Sequence, residues 1–152
     1  MDKWRRYKNA YIIGGKGVVD DNVLNEVNKI TSNDISRNRI VGSTRYETNA
    51  LIIDKFYGQS TNKAYVVKGF ELIDALSFDP IAALENSPVV LAGNDLTKTQ
   101  KDVISKRNIK IVVQAGHGIS NKVTESLMDV LTLKENINYR NKLDNRYKVK
   151  KG

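Results

Sequence analysis

The sequence predicts an α/β fold, a three-layer α/β/α arrangement with helices on both faces of a mainly parallel sheet. Two observations carry this expectation. Apolar runs of four to six residues, rich in Val and Ile, recur along the chain and are each followed closely by Gly. Parallel strands buried on both faces read as such continuous runs. Between the runs, apolar residues recur at helical spacing behind residues suited to cap a helix N-terminus. Strands alternating with helices at this spacing imply right-handed crossovers that place helices on both sides of the sheet.

Taken in order, Ala10–Ile13 is the first strand, and Asp20 is placed to cap a helix whose stripe is Val23, Val27 and Ile30, with Leu24 beside them. Arg39–Val41 is a briefer strand. Ser43 or Thr44 starts a second helix carrying Tyr46, Ala50, Ile53 and Phe56 or Tyr57, stopped by Gly58. Ala64–Val67 follows as a strand, and Ala75, Phe78 and Ala82 mark an irregular helix running through Pro80. Pro88–Ala92 is the next strand, followed by a helix capped by Thr97 with Leu96, Val103 and Ile104. Ile109–Val113 is the last strand, and Ser120 caps a helix carrying Val123, Leu127, Val130 and Leu131. After Leu133 polar and basic residues dominate, as in a linker or a frayed helix.

A chain of 152 residues suffices for one compact domain with a real core. No apolar run approaches the roughly 18 residues of a membrane span, so no membrane is expected as partner. Residues 1–20 lack a signal-peptide pattern, which leaves open an internal protein or a segment of a longer exported one. Cysteine is absent, which excludes thiol catalysis, thiolate metal sites and disulfides. The net charge of +8 sits at the ends: Lys3, Arg5, Arg6 and Lys8 face only Asp2, and residues 134–152 hold seven basic side chains against Glu135 and Asp144. Residues 9–133 balance 14 basic with 14 acidic side chains. Basic ends of this kind read as solvated tails or linkers, with a polyanion-binding arm as the alternative.

One internal repeat is visible. Residues 11–23 (YIIGGKGVVDDNV) resemble residues 112–123 (VVQAGHGISNKV). With one residue deleted from the second copy, Gly15 matches Gly116, Gly17 matches Gly118, Asp20 matches Ser120 and Val23 matches Val123. A tandem array cut so that one module's tail precedes the next whole module has this appearance.

The run Arg39–Thr48 (RIVGSTRYET), followed by Asn49 and Ala50, resembles the opening signature of the type-2 cell-wall-binding repeat of Gram-positive surface proteins. Ala64–Lys68, the Asp74–Ser77 turn into a helix, Pro88–Leu91 and Ile111–Gly118 follow in the order that family shows, so the likeness spans residues 10–131. It implies three such repeats in tandem about a pseudo-threefold axis, a Toprim-like, Rossmann-like fold, and non-covalent anchoring on an anionic cell-wall polysaccharide. Location at the cell wall or cell surface, and neighbouring repeats or a homotrimer as further partners, follow from the same likeness. The family's Pro-Ile-Leu-Leu strand, associated with anchoring, is here Pro88-Val89-Val90-Leu91, and its closing Ile-Gly-Gly is Gln114-Ala115-Gly116. On this reading residues 1–38 are the strand–turn–helix end of a preceding repeat plus a linker, 39–133 one complete repeat, and 134–152 a basic linker or tail.

For polymer contact the resemblance points to Arg39, Arg45, Glu47, Thr48, Lys68, Asp74, Val89, Val90 and Leu91. Arginine's planar fork suits phosphate oxygens, and Lys68 ends a strand where open parallel sheets bind ligands. Each residue has a structural alternative: an Arg45–Glu47 or Arg39–Asp74 ion pair fixing the helix start with Tyr46 in the core, Asp74 as an N-cap, Lys68 as a surface side chain. The Gly15-Lys16-Gly17 and Gly116-His117-Gly118 turns lack the third glycine of a dinucleotide fingerprint, with Asp20 and Asn121 standing in its place, so no nucleotide cofactor is expected. His117, the lone histidine, cannot build a metal cluster without cysteine, no serine triad is legible, and the Asp-x-Asp pair of magnesium-dependent Toprim enzymes is missing. Catalytic residues, metal and cofactor are therefore not expected. Tyr46, Phe56, Tyr57 and Tyr65 fall at core spacing, which argues against nucleic acid as a partner. Trp4 and Tyr7, among basic residues, read as a linker contact or a swapped segment.

Overall fold

The computed structural model describes residues 7–70 and 72–132, apart from the side chains of Leu72, Asp74 and Thr132. The element order is β1 (Ile12–Ile13), α1 (Asp21–Lys29), β2 (Arg39–Ile40), α2 (Arg45–Phe56), β3 (Lys63–Lys68), α3 (Leu72–Leu84), β4 (Val89–Ala92), α4 (Lys98–Ser105), β5 (Ile111–Ala115) and α5 (Asn121–Thr132). Helices α1, α2 and α4 start where a side chain takes an orphan N–H. Asp20 accepts from Asn22 and Val23, Thr44 from Glu47, and Thr97 forms a capping box with Gln100.

All strand pairings are parallel, but they form two sheets: β1 with β2, and a three-stranded sheet in the order β4-β3-β5. The larger sheet is the middle of three layers. Ala64, Val66, Val90 and Ala92 on one face pack with Ala50 and Ile53 of α2, Val103 and Ile104 of α4, and Val123 and Leu127 of α5. Val67 and Ala115 on the other face meet Ala75 and Phe78 of α3. The expected three-layer α/β class is therefore the observed one. The strand at Arg39, counted in sequence with the 39–133 unit, pairs instead with β1 of the preceding segment.

Local expectations are revised at three places. The last strand runs later than residues 109–113, because Lys110 and Ile111 N–H both donate to Asn62 O (2.8 and 3.0 Å) and the ladder starts there. Phe56 is half-exposed, edge-on to Tyr11, and the α2 stripe ends on Tyr57. On α1, Val23 and Ile30 are 46% and 53% exposed, and Leu24 is the buried residue. The matching positions of α5, Val123 and Val130, are buried.

The two strand–turn–helix units can also be compared by the way their residues face. Ile12 shares its face of the strand pair with its register partner Arg39, whose guanidinium reaches Asp21 at the start of α1. Tyr11 and Ile13, on the opposite face, look toward α2 through the Tyr11–Phe56 contact. In β5 the residues facing the following helix are Val112 and Gln114, since the Gln114 amide donates to Thr124 in α5. Gly14 with positive φ follows β1 as Gly116 with positive φ follows β5, so the turn leading to Asp20 is longer than the turn leading to Ser120, and the second copy is the shorter one.

Buried Arg107 ties the helix ends together. Its Nε donates to Tyr57 O (3.0 Å), its Nη2 to Ile53 O (2.8 Å) and Tyr57 O (2.7 Å), and its Nη1 to Val103 O. Val103 and Ile53 lie in the last turns of α4 and α2 and Tyr57 directly follows α2; Ile53 O also accepts from Tyr57 N–H (3.0 Å).

At the start of β3, Lys63 Nζ reaches both oxygens of Glu85 (2.9 and 2.7 Å) and Tyr65 hydroxyl donates to Glu85 Oε2. The Lys63 hydrogen bond, then the Tyr65 one, hold the Glu85 carboxyl below its ordinary value. A lowered carboxylate pKa stabilises the fold fully above the ordinary value, and that contribution is lost as pH falls from there through the lowered value. Glu85→Gln is therefore expected to flatten the loss of stability between about pH 6 and about pH 3, measured by urea unfolding across that range.

Candidate functional site

The site expected from sequence lies where β3 and β4 end and α2 begins. α2 can start there only because Gly42 has no side chain. A Cβ at that position would overlap the Glu47 side chain and come within 2.7 Å of Thr48 N. The close approach lets Gly42 N–H donate to Thr48 Oγ1 (3.0 Å). Arg45, one residue past the cap, lies across the end of β3: its Nη1 donates to Gly69 O (3.0 Å) and its guanidinium stacks 5.3 Å from the Phe70 ring centre. Behind it the Tyr46 ring covers Gly69 and Gly93, where side chains would strike it. The Tyr46 hydroxyl is buried with no hydrogen-bond partner among the described residues.

Lys68 closes β3 and sends its ammonium to the glycine turn after β5; a Cβ on Gly118 would sit 3.5 Å from Nζ. Gly116 and Gly118 both have positive φ, 92° and 77°, so the turn exposes backbone in a conformation that side chains disfavour. The N-terminus of α5 follows, with Ser120 Oγ accepting from Lys122 N–H (3.2 Å). Arg45, Lys68 and two helix N-termini thus share the carboxyl end of the sheet, an arrangement able to receive anionic oxygen groups.

The other expected residues divide. Thr48 is engaged by Gly42, and Glu47 sits over that glycine in the first turn of α2. The foreseen Arg45–Glu47 pairing gives way to the Gly69 carbonyl, which the guanidinium reaches across the strand end. Arg39 stands apart from the strand ends. Its Nη1 donates to Gly14 O and Val19 O (both 2.8 Å) and its Nη2 to Asp21 (3.1 Å). Lys16 and then Arg39 keep the Asp21 carboxyl below its ordinary value. The side chain of Asp74, the other foreseen partner of Arg39, lies outside the described residues. Val90 is fully buried in the larger core, whereas half-buried Val89 and Leu91 line a groove of about 290 Å³ beside α3.

Sequence reasoning missed Asn49. Its Nδ2 donates to Val89 O (2.8 Å) and its Oδ1 accepts from Leu91 N–H (3.0 Å), so one amide side chain takes the place of a neighbouring strand along β4. Gln100 Nε2 adds a bond to Leu91 O (2.7 Å). The available signal was a polar residue next to Ala50 on the buried side of a helix. A second groove of about 390 Å³ lies between α2 and the β1–β2 pair, lined by Tyr11, Arg37, Arg39, Leu51, Asp54 and Lys55 among others.

Comparison with known proteins follows the same segments. A family profile described as Cell wall binding domain 2 matches residues 39–125. The N-acetylmuramoyl-L-alanine amidase LytC of Bacillus subtilis (strain 168) is 33% identical over 123 residues, 79% of this chain and 24% of that protein. The chain therefore spans about a quarter of that relative's length. Among solved structures, Cwp8 from Clostridium difficile superposes with a TM-score of 0.73 at 33% identity, covering 84% of this chain and 22% of that one. Cwp6 from Clostridium difficile gives 0.74 at 28% identity over 80% and 19%.

The tight α2 start yields a paired test. Gly42→Ala is expected to cost about 1–3 kcal/mol, read from the urea midpoint at unchanged slope. Gly17→Ala, with nothing within 4 Å of the added carbon, is expected to change stability by less than about 0.5 kcal/mol.

Proposed function

The chain belongs to the Cell wall binding domain 2 family, and we propose that it serves as a non-catalytic module holding a larger surface protein on the wall through an anionic secondary polymer. The observation that carries this reading is the convergence of Arg45 and Lys68 at the carboxyl end of β3, between the N-termini of α2 and α5. A polymer of phosphate or carboxylate groups would take the free N–H donors of the Arg45 fork, the Lys68 ammonium and the exposed backbone of the 116–118 turn. Glu47 and Thr48 would shape the rim, and Val89 and Leu91 the neighbouring groove. Residues 39–125 match the family in a chain with residues to spare on both sides. Residues 10–30 are then the tail of a preceding repeat, a reading supported by apolar Val23 and Ile30 standing exposed where Val123 and Val130 are covered. One module would bind weakly, and repetition on one chain would multiply the effect through effective concentration.

A second reading is assembly without glycan. It is favoured by α3, which leaves Ile73, Leu76 and Leu84 exposed at 78%, 68% and 88%. Apolar surface of this kind on a helix marks a contact for another protein surface.

Retention on purified walls separates the two. The chain is expected to bind walls that carry their anionic polymer, and to bind less as salt rises. Arg45→Ala combined with Lys68→Ala should weaken retention about tenfold or more, since hydrogen bonds to charged groups contribute about 1.5–3 kcal/mol each. Equal retention on polymer-stripped walls, together with a trimer in solution that forms regardless of polymer, would replace anchoring with assembly.

A further inference from the structure

Arg39, Arg107 and Arg45 are held in two different ways. The first two spend the edges of their guanidinium groups. Arg39 Nη1 donates to Gly14 O and Val19 O and its Nη2 to Asp21. Arg107 gives Nε, Nη1 and Nη2 to the carbonyls of Tyr57, Val103 and Ile53. Arg45 makes one edge contact, Nη1 to Gly69 O (3.0 Å), and its guanidinium lies over the Phe70 ring, 5.3 Å from the ring centre. A guanidinium donates hydrogen bonds in its own plane and stacks on aromatic rings through its face. A ring can therefore fix the fork without taking any of its donors, which a carboxylate partner would consume.

The ring is itself anchored. Gly69 N–H donates to Ala92 O (2.8 Å), so Phe70 leaves the sheet directly after a bond between the ends of β3 and β4. Its ring meets Tyr46 edge-on, with centres 6.1 Å apart and planes at 75°. Tyr46 in turn packs against Gly69 and Gly93, where an added Cβ would crowd its ring. Phe70 is 68% exposed, so burial in the core does not account for its place. Its ring contacts are with Tyr46 and Arg45.

We propose that Phe70 is a positioning residue for Arg45: its ring presets the guanidinium across the end of β3, so that the unused N–H donors are already ordered when an anionic oxygen arrives. One hydrogen bond to Gly69 O leaves the fork free to swing about that bond, and the ring removes this freedom. A long side chain loses rotamer freedom when it takes a ligand, and one ordered in advance loses less. Binding is thereby tightened with the same number of donors, and Phe70 needs no contact with the ligand. The gain in affinity rests on the anionic-polymer reading above. The ordering of Arg45 does not, and it can be read in the free chain.

The test pairs two readouts on the full chain. With no wall material present, NMR relaxation at Arg45 Nε is compared between wild type, Phe70→Leu and Phe70→Tyr. Phe70→Leu is expected to lower the Nε order parameter, and Phe70→Tyr to keep it near the wild-type value. On purified walls that carry their anionic polymer, Phe70→Leu is expected to weaken retention about two- to fivefold, the size of an exposed cation–π contact. Phe70→Tyr should restore retention, and Phe70→Leu in an Arg45→Ala background should change nothing further. An unchanged order parameter in Phe70→Leu would overturn the positioning role. So would lowered order with undiminished retention, where Arg45→Ala alone does weaken it. A loss that persists in the Arg45→Ala background would replace positioning with a direct contact of Phe70. If wild type itself is not retained, the polymer reading falls, and the order parameter alone decides whether Phe70 holds Arg45.

Discussion

The fold depends on how a short parallel sheet satisfies the backbone groups along its edges. Four- to six-residue strands leave a large share of their N–H and C=O groups on an edge, and an unpaired buried one costs as much as a lost hydrogen bond. On the β4 side the answer is a side chain. Asn49 offers one donor and one acceptor at the spacing of Val89 O and Leu91 N, so it binds α2 to the sheet while ending it. The position of α2 then sets everything at the carboxyl end: where Arg45 lies across Gly69, and where the Tyr46 ring covers the two glycines.

The Arg39–Thr48 signature looks like a ligand-binding run and is, in large part, a folding device. Arg39 holds two carbonyls and Asp21, Gly42 admits the first turn of α2, Thr44 caps it, and Thr48 accepts from Gly42. Arg45 is the member of the run that combines an exposed position with a strand end. Its contact with a carbonyl leaves most of its fork unoccupied by that bond, and this is why it, and not Arg39, carries the binding reading.

Local structure was legible in the sequence where the signal is local. Asp20 and Thr97 cap the helices they were expected to cap, and Thr44 is the one of the Ser43–Thr44 pair that caps α2, because an N-cap acts on N–H groups two or three residues away. The parallel strands were visible as Val/Ile runs because both their faces are covered. What the sequence hid depends on partners far along the chain. Arg107 closes carbonyls 50 or more residues back, and Asn49 bonds to a strand 40 residues on. A two-residue strand such as β2 carries no pattern that says which edge it joins, so its pairing with β1 could not be read.

The crossing of β2 onto β1 has a geometric consequence. If the segment ahead of Arg39 is the tail of a repeat, as proposed, a contact in which each unit gives its first strand to the one before is head-to-tail, so the surface given and the surface receiving are different. Such a linkage has a direction and, unlike a two-fold contact, does not end itself. A chain of these units closes only if the rotation per step divides a full circle, and otherwise winds on as an open helix. The stoichiometry of such an array would thus be written in one angle, the twist between successive strand pairs, and its two ends would be chemically unlike.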